Sequence, residues 1–69
     1  MSYAVIYERA ANNYAAYVPD LPGCVATGST RQEVEHRIRA AIELHLEGMR
    51  EDGETPPLPT TAVGSVEAE

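Results

Sequence analysis

Residues 18–30 read V-P-D-L-P-G-C-V-A-T-G-S-T, and this stretch decides the fold. Pro19 has no backbone donor and ends whatever strand precedes it. In Leu21-Pro22-Gly23-Cys24, Pro presets φ at the second place of a turn and Gly accepts positive φ at the third, so the four residues read as a type II turn. Asp20 is read as an Asx-turn residue, bonding backbone two positions on. Residues 24–27 then form a short strand, and Gly28 frees the chain to bend. Thr30-Arg31-Gln32-Glu33 fits a capping box, with the Thr30 hydroxyl taking the Glu33 amide and the Glu33 carboxylate reaching back.

Upstream, residues 3–8 (Y-A-V-I-Y-E) are β-branched and aromatic and read as a strand. Residues 10–13 (A-A-N-N) make a hairpin loop, since Asn tolerates positive φ. Residues 14–18 (Y-A-A-Y-V) return. Downstream, a helix runs from Arg31 to about Glu51. Val34, Ile38, Ala41, Ile42, His45, Leu46 and Met49 form one stripe at 3.6-residue spacing. Glu33–Arg37 and Glu35–Arg39 are i,i+4 pairs worth about 0.3–0.5 kcal/mol each, and Gly53 is the expected stop. Residues 55–59 (T-P-P-L-P) are extended, residues 60–66 (T-T-A-V-G-S-V) have modest strand character and are expected as a fourth strand, and residues 67–69 fray. The chain is therefore a single α+β domain over residues 1–66, ordered β-β-β-α-β, with one helix on one face of a small antiparallel sheet.

Sixty-nine residues bury only about 60% of their unfolded surface. Cys24 is the only cysteine, which rules out an intrachain disulfide. Two histidines and one cysteine are too few for a closed zinc site. Self-association remains as the stabiliser. Eleven acids against five bases, all of them Arg, give a formal charge of −6. That sign opposes nucleic acid or an anionic membrane; it suits a basic protein partner, though an acidic surface more often serves only solubility. No apolar run approaches the ~20 residues of a membrane span, and no secretory leader opens the sequence. With a lone thiol, the expected compartment is the cytoplasm.

The strands point to a partner. A sheet with one face in water alternates polar with apolar. Here Tyr3, Val5 and Tyr7 point one way and Ala4 and Ile6 the other; Tyr14, Ala16 and Val18 oppose Ala15 and Tyr17. Tyrosine favours interfaces because a large contact area carries a polar tip. Tyr3, Tyr7, Tyr14 and Tyr17 are therefore candidate interface residues, with Glu51, Asp52 and Glu54 crowding the helix end, where they read either as a docking spot for a basic partner or as a fraying end. The competing reading is a mild Ala-rich patch that binds nothing.

Catalysis finds little support. Cys24 reads as a small buried hydrophobe. His45 lies on the apolar stripe and His36 nearly opposite it. Asp20 is explained by its turn, and nothing pairs Glu8 with a second carboxylate. The glycines do not have phosphate-loop spacing. No catalytic, metal or cofactor site is expected.

The order strand–hairpin–strand, P-D-L-P-G-C, A-x-G-x-T, helix and P-P-L-P resembles the HicB-like antitoxin family from residue 3 to about residue 66. Tyr17, Pro19, Asp20, Leu21, Pro22, Gly23, Cys24, Gly28, Thr30 and Glu33 stand at the family's motif positions, as do Ile38, Ile42, Pro56 and Pro59. The resemblance implies a partial RNase H-like β-β-β-α-β domain and the antitoxin role of a type II toxin–antitoxin pair. It further implies binding to a small basic mRNA-cleaving toxin with a double-stranded-RNA-binding-like fold, and assembly as a dimer or tetramer. Typical family antitoxins carry a C-terminal helix-turn-helix or ribbon-helix-helix part. This sequence ends just after the expected fourth strand, so direct DNA binding is not expected of it. Two other readings compete: an orphan structural homo-oligomer with no toxin, and a small hydrolase or nuclease using Asp20, Glu8 or His45.

Overall fold

The computed structural model describes residues 2–69. Its elements run β1 (Ile6–Arg9), β2 (Tyr14–Tyr17), β3 (Val25–Gly28) and α1 (Arg31–Glu51). The strands form one antiparallel sheet in the order β1-β2-β3. Ile6 lies opposite Tyr17 and Tyr7 opposite Ala16; across the next ladder Ala16 meets Ala26 and Tyr17 meets Val25.

β1 begins at Ile6 rather than at the expected Tyr3. The β2 partners for residues 3–5 are used up: Pro19 has no N–H to give, and the Val18 N–H donates to the Cys24 carbonyl at 3.1 Å. The hairpin closes through the Ala10 N–H on the Asn13 carbonyl at 2.9 Å. It does so without the positive φ that its asparagines permit, because among the described residues only Gly23 and Gly53 take that conformation.

The turn after β2 forms as the sequence requires. The Cys24 N–H donates to the Leu21 carbonyl at 3.0 Å, and Gly23 sits at φ +85°, which together define type II geometry. A second turn precedes it, closed by the Leu21 N–H on the Val18 carbonyl at 3.0 Å. The two turns drive Leu21 inward until it is 1% exposed.

Both helix ends are capped. Thr30 accepts the Glu33 N–H through its hydroxyl at 3.0 Å. The Glu33 carboxylate reaches back one residue further than expected, to the Ser29 N–H at 2.8 Å. At the other end Gly53 takes φ +77°, the Glu54 N–H donates to the Met49 carbonyl at 2.8 Å and the Gly53 N–H to that of Arg50 at 3.1 Å. These two bonds make a Schellman motif. Of the expected helix ion pairs, Arg37–Glu33 forms at 3.6 Å. Glu35 pairs instead with Arg31 at 2.9 Å, whose guanidinium lies 3.7 Å from the Tyr7 ring centroid; Arg31 is thus held between Tyr7 and Glu35, and Arg39 loses its expected partner.

The core consists of Ala16, Val18, Leu21, Cys24, Val34 and Ile38, with Tyr3, Val5, Tyr7, Tyr14, Ala26 and the rest of the helix stripe packed around it. All the strand members lie on one face of the sheet. The molecule is 16 Å across its thinnest axis, so one helix and one sheet fill it, and among the described residues no second layer covers the other face.

Residues 60–66 do not form the expected fourth strand. The Thr60 and Thr61 N–H groups, which a ladder would need, are spent on the Asp20 carboxylate. The segment beyond them runs exposed, with Val63 and Val66 in solvent.

Candidate protein-binding surface

The helix-free face of the sheet is built by strand alternation. The register sets Ile6, Tyr17 and Val25 side by side across all three strands. Ala15 stands in the neighbouring row between Glu8 and Thr27. Tyr17 is 37% exposed and Val25 64%. An apolar row crosses the sheet with only one charged side chain beside it, and such a face on a small domain marks an interaction surface.

The four tyrosines divide unequally. Tyr3, Tyr7 and Tyr14 are half-buried against the core on the helix side. Tyr3 donates its hydroxyl to the Pro57 carbonyl at 2.6 Å, and Tyr7 lies beneath Arg31. Only Tyr17 belongs to the open face. Glu51, Asp52 and Glu54 are all exposed at the helix C-terminus.

α1 packs on β3 and β2 and leaves β1 at its margin. Between β1 and the helix runs a groove of about 280 Å³, floored by Val5, Tyr7, Ile38 and Ile42 and rimmed by Glu35, Arg39 and Glu43.

Asp20 does not make an Asx-turn, because the residue two positions on is Pro22, which has no N–H. Its carboxylate is a clamp for the C-terminal segment. Oδ2 accepts the N–H groups of Thr60 at 3.0 Å and Thr61 at 3.1 Å. Oδ1 accepts their hydroxyls at 3.0 and 2.7 Å. The Thr61 hydroxyl, then the Thr61 and Thr60 amides, favour the charged form and bring its pKa from 3.8 to about 2. A carboxylate so occupied and so acidic is a weak base. Thr60 and Thr61 were invisible to local sequence reasoning, yet a signal existed: an Asp followed two places on by Pro has no local amide to bond.

The remaining candidates for chemistry lie apart. Cys24 is buried, and desolvation raises its pKa above the usual thiol value, which suppresses the nucleophilic thiolate. His36 is exposed on the helix and His45 half-buried on the stripe. Glu8 is exposed on β1, at the opposite end of that strand from the Asp20 clamp. Among the described residues no three His, Cys, Asp or Glu side chains gather as they would around a metal ion, and no helix is long and apolar enough to cross a membrane.

A three-stranded antiparallel sheet with one capped helix and a bare apolar face defines a small α+β domain whose distinctive surface is the sheet itself. A family model for the HicB-like antitoxin of bacterial toxin–antitoxin systems matches residues 3–69, and the chain belongs to that family. An uncharacterized 14.9 kDa protein in the rep-hol intergenic region of Haemophilus phage HP1 is 40% identical over 57 residues, covering 83% of this chain and 43% of its own length. A UPF0150 protein of Helicobacter pylori strain J99 is 40% identical over 47 residues, covering 68% of this chain and 65% of its own. The chain thus spans less than two thirds of either relative. The crystal structure of TTHA0281 from Thermus thermophilus superposes with a TM-score of 0.70 at 42% identity, over 77% of this chain and 68% of that one.

Proposed function

We propose that this chain neutralises a small basic, mRNA-cleaving toxin by covering its active surface, and that it does so as a binding module without catalysis of its own. The observation that carries the reading is the row of half-buried Ile6 and exposed Tyr17 and Val25 on the helix-free face. Family membership supplies the class of partner, and the net charge of −6 supplies the attraction. In this reading Tyr17 is the contact tyrosine, while Tyr3, Tyr7 and Tyr14 hold the hairpin in shape from behind. Glu51, Asp52 and Glu54 steer the basic toxin. The turn motif from Pro19 to Cys24, with Gly28, Thr30 and Glu33, is the frame that fixes the sheet against the helix. The domain is a partial RNase H-like sheet, needs no cofactor and works in the cytoplasm, where mRNA is cleaved. Copies of the chain associate as a dimer or tetramer, since one 69-residue layer pair leaves apolar surface to cover.

The test is co-expression with a short basic reading frame adjacent to the gene, followed by an affinity measurement at increasing salt. Association that weakens with salt, growth rescue in cells, and a loss of about 10-fold or more for Val25→Asp are expected. Absence of any complex at low salt, or a Val25→Asp variant that binds as well as the parent chain, refutes the reading.

A further inference from the structure

The two edges of the sheet are not equivalent. In an antiparallel ladder, residues alternate between pointing their main-chain groups into the pair and away from it. The Ala10–Asn13 bond sets that alternation for β1: Ile6 and Glu8 face β2, so Val5, Tyr7 and Arg9 present their N–H and C=O groups to the outside. On β3 the Val18–Cys24 bond leaves Val25 and Thr27 facing out. There the Thr27 carbonyl is taken by the Arg37 guanidinium at 2.9 Å, and α1 packs over the strand. No comparable bond engages the outward groups of Val5, Tyr7 and Arg9 among the described residues. β1 is the open edge, and an open edge pairs with an extended segment.

In the same chain residues 62–66 are exposed and lie in no helix or strand. Tyr3 holds Pro57 and Asp20 holds Thr60 and Thr61. Between those two points the chain crosses the end of the sheet from the β1 side toward the turn after β2, and among the described residues no backbone bond joins residues 62–66 to their own β1. Their side chains suit that edge on both faces. In a strand, Val63 points to one side and Ala62 and Val66 to the other. Beside β1, one side is the groove floored by Val5, Tyr7 and Ile42, and the other is the open face at Ile6. Val63 and Val66 are 68% and 92% exposed in the single chain.

We infer that residues 62–66 of one copy add as a strand to the β1 edge of a second copy, with the exchange reciprocated about a two-fold axis. The exchange closes on itself, as a two-fold assembly must, and supplies the fourth strand that the single chain lacks. The clamp at Asp20 fixes the root of each arm before pairing, which reduces the ordering that association requires. The inference rests on the reading that copies of this chain associate.

Two measurements test it. Light scattering compares the full chain with a chain ending at Thr61, which keeps the clamp and lacks the arm. The expected result is a multimeric full chain and a truncated chain of monomer mass. In the second measurement, a 1:1 mixture of isotope-labelled and unlabelled full chain is examined by filtered NMR. It is expected to show contacts between the Val63 methyls of one copy and the Tyr7 ring of another. A full chain that is monomeric at every concentration overturns both the association and the exchange. A truncated chain as multimeric as the parent, or a multimer without the intermolecular Val63 contacts, overturns the exchange alone and leaves copies joined by other surfaces, such as β1 against β1.

Discussion

Replacing Leu21 with Ala removes three carbons from a side chain that is 1% exposed. At about 0.8 kcal/mol per buried carbon the transfer loss is about 2.4 kcal/mol. The two turns flanking Leu21 are closed by backbone bonds of 3.0 Å each, so the site collapses poorly and the cavity term brings the total to about 3–5 kcal/mol. A chain of 69 residues has a whole stability of about 3–10 kcal/mol, so this one change removes a large share of it. Urea unfolding followed by circular dichroism, at matched protein concentration because any self-association would shift the midpoint with concentration, gives the number. A midpoint lowered by about 2 M or more is expected, since small domains lose about 1 kcal/mol or slightly more per molar urea. Val25→Ala, at a residue 64% exposed, serves as the control and shifts stability by about 0.5 kcal/mol or less. A Leu21→Ala loss below about 1 kcal/mol refutes the argument that the turn motif is a pillar of the core.

The Asp20 clamp makes the C-terminal segment acid-sensitive. Its pKa lies at about 2 against 3.8 in the free state; a depressed carboxylate contributes fully above the higher value, and the contribution is lost as pH falls through the lower one. The Thr60 and Thr61 amide signals should therefore hold steady down to about pH 4 and shift with a midpoint near 2; a midpoint at or above 3.8 contradicts the clamp. Gly28→Ala places a Cβ 3.0 Å from the Val34 nitrogen and 3.1 Å from Glu33 Oε1. Backbone cannot yield as a side chain can, so a loss of about 1–3 kcal/mol follows, read as a lower thermal midpoint; an unchanged midpoint would show that the helix start gives way freely.

Local chemistry was legible in the sequence, and long-range chemistry was not. The turn at Pro22-Gly23, the cap at Thr30 and Glu33 and the stop at Gly53 are each fixed by residues within a few positions, and each forms as read, save that the Glu33 carboxylate takes the Ser29 amide. The helix stripe through Val34 and Ile38 is equally local, because periodicity alone defines it. The sheet's two apolar sides could be read too, yet the distribution of tyrosines needed the register and the helix position: three of the four back the core, and Tyr17 alone faces out. Glu35 had two arginines within reach, and Tyr7 on a distant strand decided between them. The largest difference concerns residues 60–66, whose strand character was real but whose first amides went to a carboxylate 40 residues away. Of the candidate site, the apolar face was foreseen in kind, while the clamp and the inequality of the two sheet edges depend on contacts that no local window contains.

That 40-residue span between Asp20 and Thr60 also sets an order of assembly. The hairpin, the paired turns and the helix cap close short loops and cost little chain entropy, so they form early. The carboxylate has nothing to grip until residues 60 and 61 arrive, and during synthesis these leave the ribosome after everything they bind. A nascent chain therefore holds its sheet and helix with one end unlatched, and the emergence of residues 60 and 61 locks the domain shut.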